Sequence, residues 1–358
     1  MTISTSAQKQ RPKRRTFVSV FSVLFGSLLF VALLFVVTFG IVVWFPESAM
    51  SAVLRRIFPF PVAIVDGEPL SFRELVRNRE SLRRFYQSQS DDLAKKGFRV
   101  DFDTPEGKNR LLIREKDILG KLIEDRILLS LASERHIAFS EGEVKVRFNP
   151  LLTKREEVVI VLNRNSKGSM DGIFRIFESR VVRPSLFRDA MNQWFEKERD
   201  SSKAKETIEE AARKLKTGES LERVAREFSD GDSAKNGGDL GWVQTSALVP
   251  ELVAALEKQK RDEIGPVIES RLGFHIASVL GRKNESGSEL IRVRQVFVRK
   301  PAFPEWLAKE KEKRNVWILS RRYTWDPQQG GVVFREESFR DFEKRSLEKS
   351  EGDPSLIF

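Results

Sequence analysis

The 358-residue sequence predicts an α+β protein carried on one N-terminal membrane-spanning helix. Three observations predict it. An uncharged run extends from Thr16 to Phe45, amphipathic helical stripes dominate residues 61–200, and residues 201–300 alternate short helices with short apolar strands around a glycine-rich loop. The 40% apolar content is that of a chain with a packed core.

Charge and composition exclude several classes of function. There are 63 basic and 52 acidic residues; setting aside the five basic residues before Phe17, where no acid occurs, leaves 58 against 52. In the remainder Lys/Arg and Asp/Glu alternate along the polar segments, as on solvated helix faces, so no nucleic-acid stripe is expected. Cysteine is absent, which removes disulfides, thiolate metal sites and a thiol nucleophile. The two histidines, His136 and His275, are far apart and lack clustered carboxylates, so no metal, no cofactor and no Ser-His-Asp triad is expected.

The run at residues 16–45 exceeds a hydrocarbon core of roughly 30 Å at about 1.5 Å per residue. It is too long for a signal-peptide core, and Pro46-Glu47-Ser48-Ala49-Met50 is a poor cleavage site, so an uncleaved anchor is expected. Lys9, Arg11, Lys13, Arg14 and Arg15 precede it and only Arg55 and Arg56 follow closely. The positive-inside bias then leaves residues 1–15 as a cytoplasmic basic tail and exports everything after Trp44, in a single-pass plasma (inner) membrane topology.

Beyond the anchor, Val62–Leu70 reads as a strand turned at Asp66-Gly67, and Ser71-Phe72-Arg73-Glu74 is a capping box that starts a helix at Phe72, with Leu70 and Leu75 as a hydrophobic staple. A second helix starts at Thr104-Pro105 and carries Leu111, Leu112, Ile118, Leu119, Leu122, Ile123 and Ile127. Ser140-Glu141-Gly142-Glu143 repeats the start signal, and another amphipathic stretch runs from about Met170 to Phe195. His136, at the end of the second helix, reads as a surface residue. Two segments, Ile64-Val65-Asp66-Gly67-Glu68-Pro69-Leu70 and Lys121–Leu129 leading into Ile137-Ala138-Phe139-Ser140-Glu141, resemble the N-terminal domain of SurA-like and PrsA-like chaperones. The resemblance implies that residues 61–200 form a mainly helical lobe that holds extended client chains against exposed apolar side chains.

From residue 201 the pattern changes. Ile208, Ala211, Ala212 and Leu215 mark one helix ending at Gly218, and Leu221, Val224, Ala225 and Phe228 a second. The polar loop Ser229–Asp239 leads to expected strands at Gly241–Thr245, Pro266–Ser270 and Phe274–Leu280, with a helix near Pro250–Lys258. This order resembles the parvulin rotamase domain through Phe228-Ser229-Asp230, Ser233-Ala234-Lys235-Asn236-Gly237-Gly238-Asp239-Leu240-Gly241-Trp242, Pro250-Glu251-Leu252, Glu263-Ile264-Gly265-Pro266-Val267 and Leu272-Gly273-Phe274-His275-Ile276. The resemblance implies a small antiparallel sheet with flanking helices that isomerises Xaa-Pro bonds, and places His275 as one of a histidine pair on neighbouring strands.

The chain departs from that pattern in three places. Gly231 stands where a Cys or Asp is common, with Asp232 next; Leu252 stands where Phe commonly lines the proline slot; and Asp189–Asp200, which reads as helix, offers no opening strand and no first histidine. Val293-Arg294-Gln295-Val296-Phe297-Val298 has the missing strand's pattern with Gln295 in the histidine's place, so a permuted arrangement is expected: residues 291–299 return beside Phe274–Leu280 through the polar loop Gly281–Glu289. The alternative is a plain added strand. On the resemblance, His275, Gln295 and Asp232 are the candidate catalytic residues, and Leu248, Leu252, Phe274 and Trp242 the candidate contacts to the bound chain.

Residues 301–358 read as a C-terminal extension containing Trp306, Trp317 and Trp325, a turn at Gln328-Gln329-Gly330-Gly331, and a charged, frayed tail from about Glu343. The expected function is peptidyl-prolyl isomerisation and chaperoning of exported, unfolded proline-containing chains, tethered to the bilayer through residues 16–45. The alternatives are a parvulin-like module that binds clients without catalysis, or a structural partner of a secretion or cell-wall complex.

Overall fold

The computed structural model describes residues 20–45, 48–88, 102–140, 142–144, 146, 182–285 and 288–349. Its contacts divide the chain into two compact units: residues 1–126 with 315–326 and 331–358, and residues 127–314 with 327–330.

In the first unit, helix α1 (Val20–Trp44) carries the apolar run, and α2 (Ala49–Ile57) follows at once. Strand β1 (Pro61–Val65) pairs antiparallel with β2 (Glu68–Ser71) around Asp66 and Gly67, both at positive φ, the geometry that favours Asp-Gly in tight hairpins. Helix α3 (Phe72–Ser88) starts where the capping box predicts, with the Glu74 N–H donating to Ser71 Oγ (3.2 Å). Leu70 and Leu75 are fully buried, each burial stabilising the fold by roughly 1.5–3 kcal/mol. The Gly107 N–H donates to Thr104 Oγ1 (3.1 Å) at the start of α4 (Pro105–Glu134), within which the division between the units falls.

The chain returns to this unit near its C-terminus, as the reading of 301–358 as an extension does not anticipate. Strand β7 (Val316–Ile318) adds to β1 to give the sheet order β2-β1-β7; β8 (Tyr323–Asp326) and β9 (Gly331–Phe334) form a hairpin around the expected turn. The segment expected to fray is instead helix α10 (Glu337–Lys349), where Lys116 and Glu343 form an ion pair. Tyr323 and Phe334 are fully buried, and Glu115, 6% exposed, accepts from Arg79 (2.6 Å) and from the Tyr323 hydroxyl (3.0 Å). Burial pushes the Tyr323 phenol well above its ordinary value, with the Glu115 charge adding to it.

In the second unit α4 ends at His136, which is exposed and takes the left-handed conformation (φ 56°) as the helix closes. At Ser140 the capping box is reciprocal: the Glu143 N–H donates to Ser140 Oγ (3.3 Å) and the Ser140 N–H to Glu143 Oε2 (2.8 Å). Of the stretch expected from Met170, residues 170–181 lie outside the described residues, and α5 spans Arg183–Glu198. Then come α6 (Ser202–Lys216), α7 (Leu221–Phe228), a 3-10 turn at Asp232–Asn236, β3 (Asp239–Gln244), α8 (Pro250–Leu256), β4 (Ile268–Glu269), β5 (Gly273–Glu285), β6 (Ser288–Arg299) and α9 (Phe303–Glu312).

These strands form one antiparallel sheet in the order β3-β6-β5-β4. The expected strand at Pro266–Ser270 shrinks to two residues, and the expected polar loop Gly281–Glu289 is mostly strand, paired out to Glu285↔Ser288. Charged side chains disguise those residues, yet the hairpin's backbone ladder carries them beyond the covered core. Residues 291–299 lie beside Phe274–Leu280 as the permuted arrangement requires, and between β3 and β5 rather than at an edge.

Both faces of the sheet are covered, which is why β5 is buried without alternation from Gly273 to Val279. On one face Phe274, Ile276, Val296 and Val298 pack against Ile208, Ala211, Leu221, Val224 and Ala225 of α6 and α7. On the other, Ala277, Val279, Ile291 and Val293 pack with Ile268 against Leu252 and Leu256 of α8.

Candidate active site

His275 is placed by alternation along β5: it shares the α8 face with Ala277 and Val279 and sits opposite Phe297 of β6 and Ile268 of β4. Its ring stacks on Phe297 with centroids 4.8 Å apart and is 4% exposed. Both ring nitrogens are engaged. Nδ1 lies 3.1 Å from Gln295 Oε1, an acceptor, so it carries the proton; Nε2, 2.8 Å from Ser270 Oγ, accepts from that hydroxyl. Burial lowers the imidazole's pKa from its usual value, Gln295 and the Glu251 carboxylate oppose this, and Lys300 reinforces it. The group is therefore a neutral imidazole at neutral pH, held in one tautomer.

Sequence reasoning missed Ser270. It closes the turn before β5: its N–H donates to Gly273 O (2.8 Å), and its hydroxyl oxygen accepts from the Leu272 and Gly273 N–H groups (3.2 and 3.3 Å). The signal lay in a Ser two residues before the Leu-Gly-Phe-His run, where a polar side chain at a strand entrance faces the histidine's edge.

The glycine-rich loop supports the same spot from the other strand. Gly238 has φ 80°, and its carbonyl accepts from the Gln295 N–H (2.9 Å). A Cβ there would lie 2.2 Å from the Gln295 carbonyl oxygen and 2.8 Å from Ala225 Cβ, so only glycine lets the loop lie flat on β6. Asp239 accepts from Arg292 (2.7 Å) and from the Gly241 N–H (2.9 Å), and Arg292 beside it holds this carboxyl below its ordinary range. The Ser229-Asp230 pair clasps β6 further along: the Phe297 N–H donates to Ser229 Oγ (3.0 Å), the Asp230 N–H to Phe297 O (2.7 Å), and the Arg299 N–H to Asp230 Oδ2 (2.8 Å). These conserving contacts fix both Gln295 and Phe297 against the histidine.

The expected site residues are only partly brought together. His275 and Gln295 meet; Leu252 is buried in the core of their face, and Leu248 packs half-buried beside it. Asp232 is exposed on the 3-10 turn, and the carboxylate whose charge reaches His275 is Glu251. Phe274 and Trp242 fall elsewhere. Phe274 is one residue from His275 and so points into the α6/α7 core, beneath the Lys300 ammonium at 4.8 Å. Trp242 pairs with Arg292 and covers Gly281, with Lys283 4.9 Å from its ring.

A second concavity, of about 300 Å³, lies where α5 meets α9 in the same unit, lined by Trp194, Phe195, Arg199, Pro301 and Trp306. The Arg135 guanidinium stands over both indoles, at 4.3 Å from Trp194 and 5.4 Å from Trp306.

A four-stranded antiparallel sheet with two helices on one face, a short helix on the other and a hydrogen-bonded histidine at its centre defines a parvulin-type rotamase fold. Residues 188–280 match the family Rotamase, described as PPIC-type PPIASE domain, and that segment is a domain of this kind. The match ends before β6, so the strand that supplies Gln295 and Phe297 comes from outside it. Among curated relatives, Chaperone SurA of Pseudomonas fluorescens (strain Pf0-1) is 32% identical over 100 residues, 28% of this chain and 24% of that protein. Chaperone SurA of Bordetella parapertussis is 34% identical over 111 residues, 29% and 21% of the two chains. The chain thus spans about a quarter of the length of these relatives. A crystal structure of peptidylprolyl isomerase (PrsA) from Bacillus anthracis is 18% identical, covering 65% of this chain and 97% of that one, with a TM-score of 0.18.

Proposed function

We propose that this chain is a membrane-tethered foldase: residues 16–45 anchor it with the N-terminus in the cytoplasm, residues 61–200 hold extended exported polypeptides, and the domain within residues 201–300 isomerises their Xaa-Pro bonds. One observation carries the reading: His275, held by Ser270 and Gln295, lies at the centre of a sheet whose sequence matches the rotamase family. One helix, Ser22–Trp44, is long and apolar enough to cross a membrane, which supports the tether.

Prolyl isomerisation faces a barrier of roughly 18–20 kcal/mol, because rotation breaks amide resonance, so the catalyst must bind the twisted imide better than the planar one. No covalent step is needed. With both imidazole nitrogens occupied, His275 orders the site rather than transferring a proton. The half-buried groups around it, Phe297, Gln295 and Leu248, offer an apolar surface with one amide to a proline ring and its imide.

A second reading is favoured by one substitution. Gln295 occupies the place of the second histidine, which supports a domain that binds proline-containing chains without turnover. Exchange NMR on a series of proline tetrapeptides with the full chain in detergent separates the two. Isomerisation accelerated by the wild type and lost in His275→Ala supports the enzyme; uncatalysed rates for every peptide, with unfolded polypeptide still captured, leave the binding module.

A further inference from the structure

Helix α2 begins after only four residues beyond Trp44, and the junction is closed by Ser48. The Ser48 N–H and hydroxyl both donate to the Phe45 carbonyl (3.1 and 2.9 Å), and its hydroxyl oxygen accepts from the Ser51 N–H (3.1 Å) as the N-cap of α2. Even fully extended, such a link reaches at most about 18 Å. Its 25 residues make α1 about 37 Å long, against roughly 30 Å of hydrocarbon, so its last turns emerge from the bilayer. Those turns are the part that packs on the first unit: Val42 is fully buried, and the Phe39 ring lies 5.7 Å from that of Phe60.

α2 itself is two-sided. Ser51 and Leu54 are buried inward, whereas Met50, Val53 and Ile57 are 60%, 50% and 60% exposed and, at spacings of three and four, form one stripe. At the exit of α1 the Arg321 guanidinium lies 5.0 Å from the Trp44 ring, a cation and an indole paired as side chains pair at the headgroup level, and Trp317 of β7 is 62% exposed.

We propose that α2 lies in the headgroup–acyl boundary of the leaflet from which α1 emerges, with Met50, Val53 and Ile57 turned toward the acyl chains. The inference rests on the anchor reading of residues 16–45. Covalent continuity with the anchor names the occupant of this stripe: no other surface is held so near it. The lipid contact gives the first unit a second attachment, so it is seated on the membrane surface rather than swinging from a single point.

The test uses the absence of cysteine, which makes one introduced thiol unique. Val53→Cys and, separately, Leu33→Cys in the middle of α1 are labelled with an environment-sensitive dye in the full chain. Each is reconstituted in phosphatidylcholine–phosphatidylglycerol vesicles carrying nitroxide lipids labelled near the headgroup or near the chain end. The expected result is blue-shifted emission at residue 53 that is lost to the shallow nitroxide, with residue 33 quenched by the deep one. Quenching at 33 with none at 53 overturns the inference alone, including the case of a blue-shifted but unquenched dye, which means a protein covers α2. Quenching at neither position overturns the anchor as well.

Discussion

Replacing Gly238 by Ala tests the link between the glycine-rich loop and the strand that carries Gln295. An alanine at φ 80° costs about 1–2 kcal/mol in backbone strain. Its Cβ would also stand 2.2 Å from a backbone oxygen of β6, so the loop or the strand must move and the Gln295-to-Gly238 hydrogen bond, worth about 1 kcal/mol, is lost. Together with the displaced packing against Ala225, the loss is about 3–4 kcal/mol, which corresponds to at least a hundredfold. Gly231 is the internal control: its φ is −79°, and an added Cβ would meet Ser229, Ser233 and Phe297 at 3.7–3.8 Å, ordinary contact distances. Gly231→Ala is therefore expected to be neutral or to stabilise by about 0.4–1 kcal/mol. Amide hydrogen exchange of peptides from β5 and β6, read by mass spectrometry in the full chain, checks both. Exchange at β6 in Gly238→Ala within threefold of the wild type would refute the reasoning, as would equal acceleration by Gly231→Ala.

Because the folded-state pKa of His275 lies below its unfolded value, the unfolded chain binds the proton more readily; the imidazole's contribution to stability is complete above about pH 6.5 and is lost as pH falls through the lowered pKa. Exchange at β5 should therefore accelerate more between about pH 7.5 and pH 5 in the wild type than in His275→Gln, after correction for intrinsic rates; identical pH dependence would contradict it. In the first unit, Glu115→Leu leaves Arg79 and Tyr323 without their buried acceptor. Since Arg79 keeps Glu80 and stays partly exposed, the expected loss is about 2–3 kcal/mol rather than the ~3–5 of a fully buried pair. Urea unfolding should show it, with much of the loss recovered in Glu115→Leu/Arg79→Leu; no recovery would place the effect in packing instead.

Local signals in the sequence were enough for much of the architecture. Ser71, Thr104 and Ser140 start helices where their side chains can reach an N–H three residues on, and Asp66-Gly67 turns a hairpin because both residues tolerate positive φ. The alternation that puts His275 on a face with Ala277 and Val279 is equally local, and so is the pattern that marks residues 293–298 as a strand. Partners distant along the chain had to be settled by packing. β7 joins β1 across some 250 residues, Ser270 turns its hydroxyl to His275 only once the entrance of β5 is folded, and Phe274 and Trp242 face away from the histidine because strand pleat and register assign their sides. Caps, turns and periodicity are decided within one or two turns of backbone, so residue order alone specifies them. Which strand lies between β3 and β5, and therefore which side chains surround the imidazole, depends on burying two apolar faces at once, a condition satisfied only when the whole sheet is assembled.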